Sequence, residues 1–195
     1  MLLDALEEAR AQITAIFSTM ANIAPTERNR LYQDVGIGRH VRHIVDHFNA
    51  LKNREQTTED VDAGRAAKAT RVDAGRAAKA TLALINYNQR SRDSDIERDF
   101  ELGQSVLQSL AQWLAAIDPT TLNQAVQVRA EISCSHTENG EFQSTLAREI
   151  LYLINHTIHH AAYTKLLLSH QGLQLPAHIG IAPCTASFLR NKAGQ

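Results

Sequence analysis

Six of the nine histidines in this chain fall in two short stretches, HVRHIVDHF at 40–48 and NHTIHHAAY at 155–163. In the second stretch His156 and His160 stand four residues apart, so on a helix both rings leave one face about one turn apart. Two imidazoles at that spacing can chelate one divalent ion, the geometry used by the HExxH helix of zinc proteases. The glutamate of that motif is missing, so protease chemistry does not follow. In the first stretch His40, His43 and His47 follow an i, i+3, i+7 pattern along one edge of an apolar helix face. Such an edge borders a bundle interior, where metal sites are assembled from side chains on facing helices. A tetrahedral ion held by three neutral imidazoles keeps one position for water or substrate, the pattern of a catalytic rather than a structural site. Imidazole nitrogen suits Zn, Ni, Fe or Cu, and affinity order alone does not choose among them. Asp46 or Glu149 is expected to orient a ligand ring through its second nitrogen. His159 points round the helix from its neighbours, towards Asn155. The alternative is a set of surface or satisfied core histidines that merely cluster, and spacing alone leaves both readings open.

The elements that must carry these residues can be read from periodicity. Leu2 to about Ala21 places Leu2, Leu6, Ile13, Ile16 and Phe17 on a helical period. NIAPTERNRLYQDVGIG, with Pro25, Gly36 and Gly38, is expected to be a long connection. Val41, Ile44, Val45, Phe48 and Leu51 then predict a second helix from Ile37 to about Asn53. The decapeptide VDAGRAAKAT occurs at 61–70 and again, unchanged, at 72–81. Its 11-residue period is three helical turns, so the expectation is an alanine-rich, solvent-exposed helical insert of duplicated origin.

NYNQRSRDSDIERD is polar throughout and is expected to be an extended crossing segment. The next helix should start around Ser94 to Ile96 and carry Phe100, Leu102, Val106, Leu107, Leu110, Trp113, Leu114 and Ile117 as far as DPTT. AVQVRAEIS alternates at Val126, Val128, Ala130 and Ile132, which predicts a strand, and EFQS beyond the ENGE turn supplies a return strand. The longest helix should run from about Thr145 to His170 with Gly172 as its C′ residue. The tail, with Pro176, Gly180 and Pro183, should pack over the bundle as loop and short helix.

Composition narrows the function. A net charge of −1 and a pI near 6.8 give no electrostatic footprint for nucleic acid or an anionic membrane. No apolar run approaches the roughly 18 residues needed to span a bilayer, and MLLDALEEARAQ is not a secretory signal. Two cysteines, Cys134 and Cys184, make no disulfide framework. The expectation is one domain over 1–195, cytoplasmic, acting on a small molecule.

GIGRHVRHIVDHF, LINHTIHHAAY and IGIAPCTASFLRN together resemble the DinB-like (DinB/YfiT) superfamily of metal-binding helix bundles. The resemblance covers most of the chain apart from about 55–84. It implies an all-α four-helix bundle with one long crossover, here with a small β-hairpin before the last long helix, and a homodimer. It also implies one ligand from the second helix and an HxxxH pair from the last long helix. The pair matches His156 and His160, and the second-helix ligand matches His43, with His47 as substitute if the register is off by one turn. His40 and His159 match no ligand position and are expected to line the pocket. Characterised relatives are thiol-dependent transferases and isomerases using bacillithiol or mycothiol, in which a divalent cation (Zn, Ni or Fe here) stabilises the nucleophilic thiolate. Arg90, Arg92 and Arg98 would then meet an anionic cofactor or substrate, or simply form a solvated charged stretch. Cys184 is either a redox thiol or a small buried residue. Metal-dependent hydrolysis and a non-catalytic metal-binding stress role are the competing expectations.

Overall fold

Helix α1 (Leu2–Ala21) buries Leu6, Ala9, Ile13, Ile16, Phe17 and Met20 along one face, as a three-and-four spacing requires. Helix α3 (Ile37–Lys52) buries Ile37, Val41, Ile44, Val45, Phe48 and Leu51, and α5 (Leu146–His170) buries Leu146, Ile150, Leu153, Ile154, Ile158, Ala161 and Leu168. Helix α4 (Phe100–Ala115) adds Phe100, Leu107, Leu110 and Leu114. Helix α1 packs against α4 and α5, α3 packs against the same two, and the shared core lies between them. The computed structural model describes residues 1–56 and 82–193. The duplicated decapeptide and the helical insert expected there lie outside the described residues.

The chain is mainly α-helical, with a small sheet larger than the expected hairpin. Strands β3 (Ala125–Glu131) and β4 (Asn139–Thr145) form that hairpin, with Val128 opposite Phe142. Strand β2 (Ala83–Asn86) lies parallel to β3, with Ile85 opposite Val128, and β1 (Glu55–Gln56) pairs antiparallel to β2. The sheet order is β1-β2-β3-β4. Strand β2 escaped the sequence reading because four residues are too few to show a period. Ile85, Val126 and Val128 are all buried, and that burial holds it in place.

Helix α2 (Pro25–Gln33) occupies the stretch expected to be a plain connection. Pro25 punctuates the sequence but stands at the first helical turn, where its missing N–H and fixed φ favour a start. Helix α4 begins later than expected, at Phe100, after a 3-10 turn at Asp95–Glu97. Its N-cap Asp99 accepts from Leu102 N–H at 3.0 Å. Thr145 caps α5 by accepting from Arg148 N–H at 3.3 Å, and Gly172 follows that helix with φ +81°. The tail holds α6 (Pro183–Ala193). Among the described residues no helix is long and apolar enough to cross a membrane.

Candidate metal centre

Helices α3 and α5 lie side by side, so the histidine edge of one faces the histidine edge of the other. One ring nitrogen from each of His43, His156 and His160 lies within 4.8 Å of the others. Among the described residues, these three alone form a histidine, cysteine or carboxylate group of that kind. A tetrahedral ion with bonds of about 2.1 Å sets neighbouring nitrogens roughly 3.4 Å apart, and His43 Nε2 stands 3.0 Å from His156 Nε2. The three rings therefore fit a divalent ion after small side-chain movements.

All three rings are half-buried, and each is held in its neutral form. Burial, then the neighbouring His47, His160, Arg90 and His156, pushes His43 down to about 2. Burial followed by His47 and His160 takes His156 to about 3, and burial followed by His40 takes His160 to about 4. A neutral imidazole is the form that binds metal, so none of the three rings has to give up a positive charge at neutral pH.

His47 stands outside the convergent group. Its Nδ1 donates to the backbone carbonyl of His43 at 2.9 Å, and its ring packs 4.0 Å from that of His156 at a 30° angle. It buttresses a candidate ligand and is itself buried. His40 sets its Nδ1 3.1 Å from His160 Nδ1, which suits an N–H of His160 donating outward while its other nitrogen faces inward. His159 is exposed, its ring only edge-on to His160.

The two carboxylates expected to orient ligand rings do neither. Asp46 accepts from Arg42 at 2.8 Å and from the backbone N–H of Ser91. Glu149 accepts from Tyr87 Oη at 2.8 Å and from Ser144 Oγ at 2.6 Å. Each instead ties the crossing segment or the sheet to a histidine helix. Burial, followed by the charge of Glu149, drives the Tyr87 hydroxyl far above its ordinary pKa, so it stays a donor. Sequence reading missed Tyr87, whose partner lies 62 residues away. Its one local signal is an aromatic residue directly after the apolar run ALIN.

Gly38 fixes how closely the crossing segment approaches α3. A Cβ there would sit 2.2 Å from the carbonyl oxygen of Glu97 and 2.8 Å from Tyr32 Cε1. Arg42 reinforces the approach by bridging Asp46 and Glu97, both at 2.8 Å. The segment so held carries Arg90 to the centre: its Nε donates to Tyr87 O at 2.9 Å, and Nη1 lies 2.5 Å from His43 Nδ1. Arg90 and Arg92, both exposed, line a cavity of about 210 Å³ with His47, Tyr87, Asn88, Tyr152 and the carboxylate-bearing Glu131. Arg98 does not line it. Cys134 and Cys184 are both free and exposed, so Cys184 is not the buried residue that a lone cysteine suggests.

No family model matches the sequence, and no solved structure matches it. Among curated proteins, FK506-binding protein 5 of Rhizopus delemar is 27% identical over 111 residues, which is 57% of this chain and 29% of that protein. The chain thus spans less than a third of that relative's length. This likeness assigns neither a family nor a role for the histidines.

Proposed function

We propose that this chain is a DinB-like divalent-metal-binding protein, a four-helix bundle with a long crossover, in which His43, His156 and His160 hold one ion. We further propose that it is a cytoplasmic homodimer that joins a low-molecular-weight thiol of the bacillithiol or mycothiol type to a small electrophile. One observation carries the reading: three neutral imidazoles, from two helices whose His43 and His156 stand 113 residues apart in sequence, converge within 4.8 Å, next to a cavity walled by His47 and Arg90.

Zn, Ni or Fe bound there would supply the positive charge that lowers a thiol's pKa and makes it a nucleophile. The chain's own residues do the rest. His43, His156 and His160 supply neutral nitrogen donors and no carboxylate, so a divalent ion keeps its full charge. His40 and His47 hold ligand rings in place. Arg90 and Arg92 set two cations on the cavity wall against the one carboxylate of Glu131, a balance suited to a carboxylate or phosphate on the thiol or its partner. Tyr87 and Tyr152 supply its flat apolar sides.

Two measurements test this. Elemental analysis of the purified chain should find about one transition-metal ion per protomer, lost in His156→Ala; stoichiometric metal that survives the substitution removes the centre. Turnover of small electrophiles by the loaded protein should require added thiol. Equal turnover without thiol would turn the same residues towards hydrolysis, and metal-dependent melting with no turnover would leave a binding protein.

A further inference from the structure

The Arg90 contact sets a condition on metal loading, given His43 as a ligand in the function proposed above. A guanidinium has donors only. With Arg90 Nη1 at 2.5 Å, His43 Nδ1 must therefore be the bare, accepting nitrogen. A neutral His43 then carries its proton on Nε2, which donates to His156 Nε2 at 3.0 Å. The chain of donors runs from Arg90 through His43 to His156. Yet Nε2 is the nitrogen that faces the ring of His156, and it can bind an ion only when stripped of its proton. In a neutral ring that proton must then move to Nδ1, where it would meet the donors of Arg90 head-on.

The contrast with His160 is direct. Its Nδ1 faces His40, a ring that can accept, so nothing there blocks the ligating tautomer. His47, likewise, gives its Nδ1 proton to a carbonyl oxygen, which fixes the opposite tautomer from that of His43. Arg90 is also held rather than stray. Its Nε is bonded to Tyr87 O, and the next residue, Ser91, is bonded through its N–H to buried Asp46 on α3.

We propose that Arg90 and the metal exclude each other at His43: the arginine holds the metal-free ring in its non-ligating tautomer, and loading expels the guanidinium into the adjoining cavity. Arg90 is thus a positioning residue that competes with the ion for His43.

Two readouts test this without any assay of turnover. Long-range ¹H–¹⁵N spectra of the metal-free wild type report which nitrogen of His43 carries the proton. Nε2–H is expected, changing to Nδ1–H on zinc addition, whereas Nδ1–H in the metal-free protein overturns the proposal. Competition of zinc against a chromophoric chelator then compares wild type with Arg90→Met. Removing the contact should tighten zinc binding on the order of tenfold, the equivalent of one strong hydrogen bond. Arg92→Met removes a cation from the same cavity without touching His43 and should give a smaller gain. Equal affinities, or an equal gain in Arg92→Met, overturn it. Zinc bound by Arg90→Met but not by wild type would be its strongest support. Zinc bound by neither would overturn it along with the metal centre, an outcome distinct from equal, measurable affinities.

Discussion

Asp46→Ala separates two roles for a carboxylate that lies one turn from His43. Asp46 is buried, its Oδ2 accepts from Arg42 Nη1 at 2.8 Å, and the Ser91 N–H points between its two oxygens at 3.2 and 3.3 Å. Stripping one partner from a buried ion pair costs about 3–5 kcal/mol, and a hydrogen bond to a charged group is worth about 1.5–3 kcal/mol. Two features keep the loss below the top of that range. Arg42 retains Glu97 at 2.8 Å, and its side chain is 12% exposed, so water can reach it. We expect a loss of about 2–4 kcal/mol. At about 2–4 °C per kcal/mol for a chain of this size, the melting temperature should fall by roughly 4–16 °C. Asp46→Asn keeps an acceptor for Ser91 and should lose about half as much. The second readout is zinc affinity. A carboxylate that orients a ligand ring typically costs 10–100-fold when removed. Asp46 touches no imidazole, so no such drop should occur. Stability within about 0.5 kcal/mol of wild type, together with tenfold weaker zinc binding, would mean that Asp46 serves a ligand ring and that the clamp on the crossing segment is wrong.

Gly38→Ala sets the cost of overpacking, about 1–3 kcal/mol, against the roughly 1 kcal/mol that alanine gains in a helix. Because the contact is with the Glu97 backbone at 2.2 Å, overpacking should win and thermal melts should shift down by a few degrees; an upward shift refutes the close approach. His40→Ala should weaken zinc binding 10–100-fold by freeing the outer nitrogen of His160. His159→Ala should leave zinc affinity unchanged, so equal losses in both would erase the distinction. The neutral rings also predict acid lability. His43, His156 and His160 titrate near 2, 3 and 4 when folded, below the ordinary 6.5, so between those limits the unfolded chain binds more protons. Stability of the metal-free protein must then fall as pH drops below about 6.5. Urea midpoints across pH 7.5 to 5 should show it, and a His43→Gln/His156→Gln double variant should flatten the slope; an unchanged slope assigns the loss to carboxylates instead.

The sequence made one level of this molecule plain and hid another. The apolar periods of α1, α3 and α5 sit at their expected places because each helix buries one face over four or more turns, long enough for the spacing to speak. Helical spacing alone pointed to the HxxxH pair and to a histidine-bearing edge on α3, while the choice of His43 over His40 and His47 came from the family resemblance. What stayed hidden depends on partners far along the chain. Strand β2 is four residues whose burial comes from β3, some 40 residues onward. Asp46 and Glu149 looked like ring-orienting groups because sequence gives proximity along a helix but not the direction from which a distant donor arrives. Those donors turned out to be Ser91 and Arg42 in one case, Tyr87 and Ser144 in the other.

Arg90 marks the boundary between the two levels. Its charge and position in a polar segment left open an anion partner or a solvated stretch; in the structure it meets His43, held there by a clamp whose parts are Gly38, Arg42, Asp46 and Glu97. Each part alone reads as an ordinary helix or loop residue. Together they place a cation against a candidate ligand of the centre. Residues 87–97 therefore belong to the candidate site, because they bring Arg90 against the ring that α3 offers.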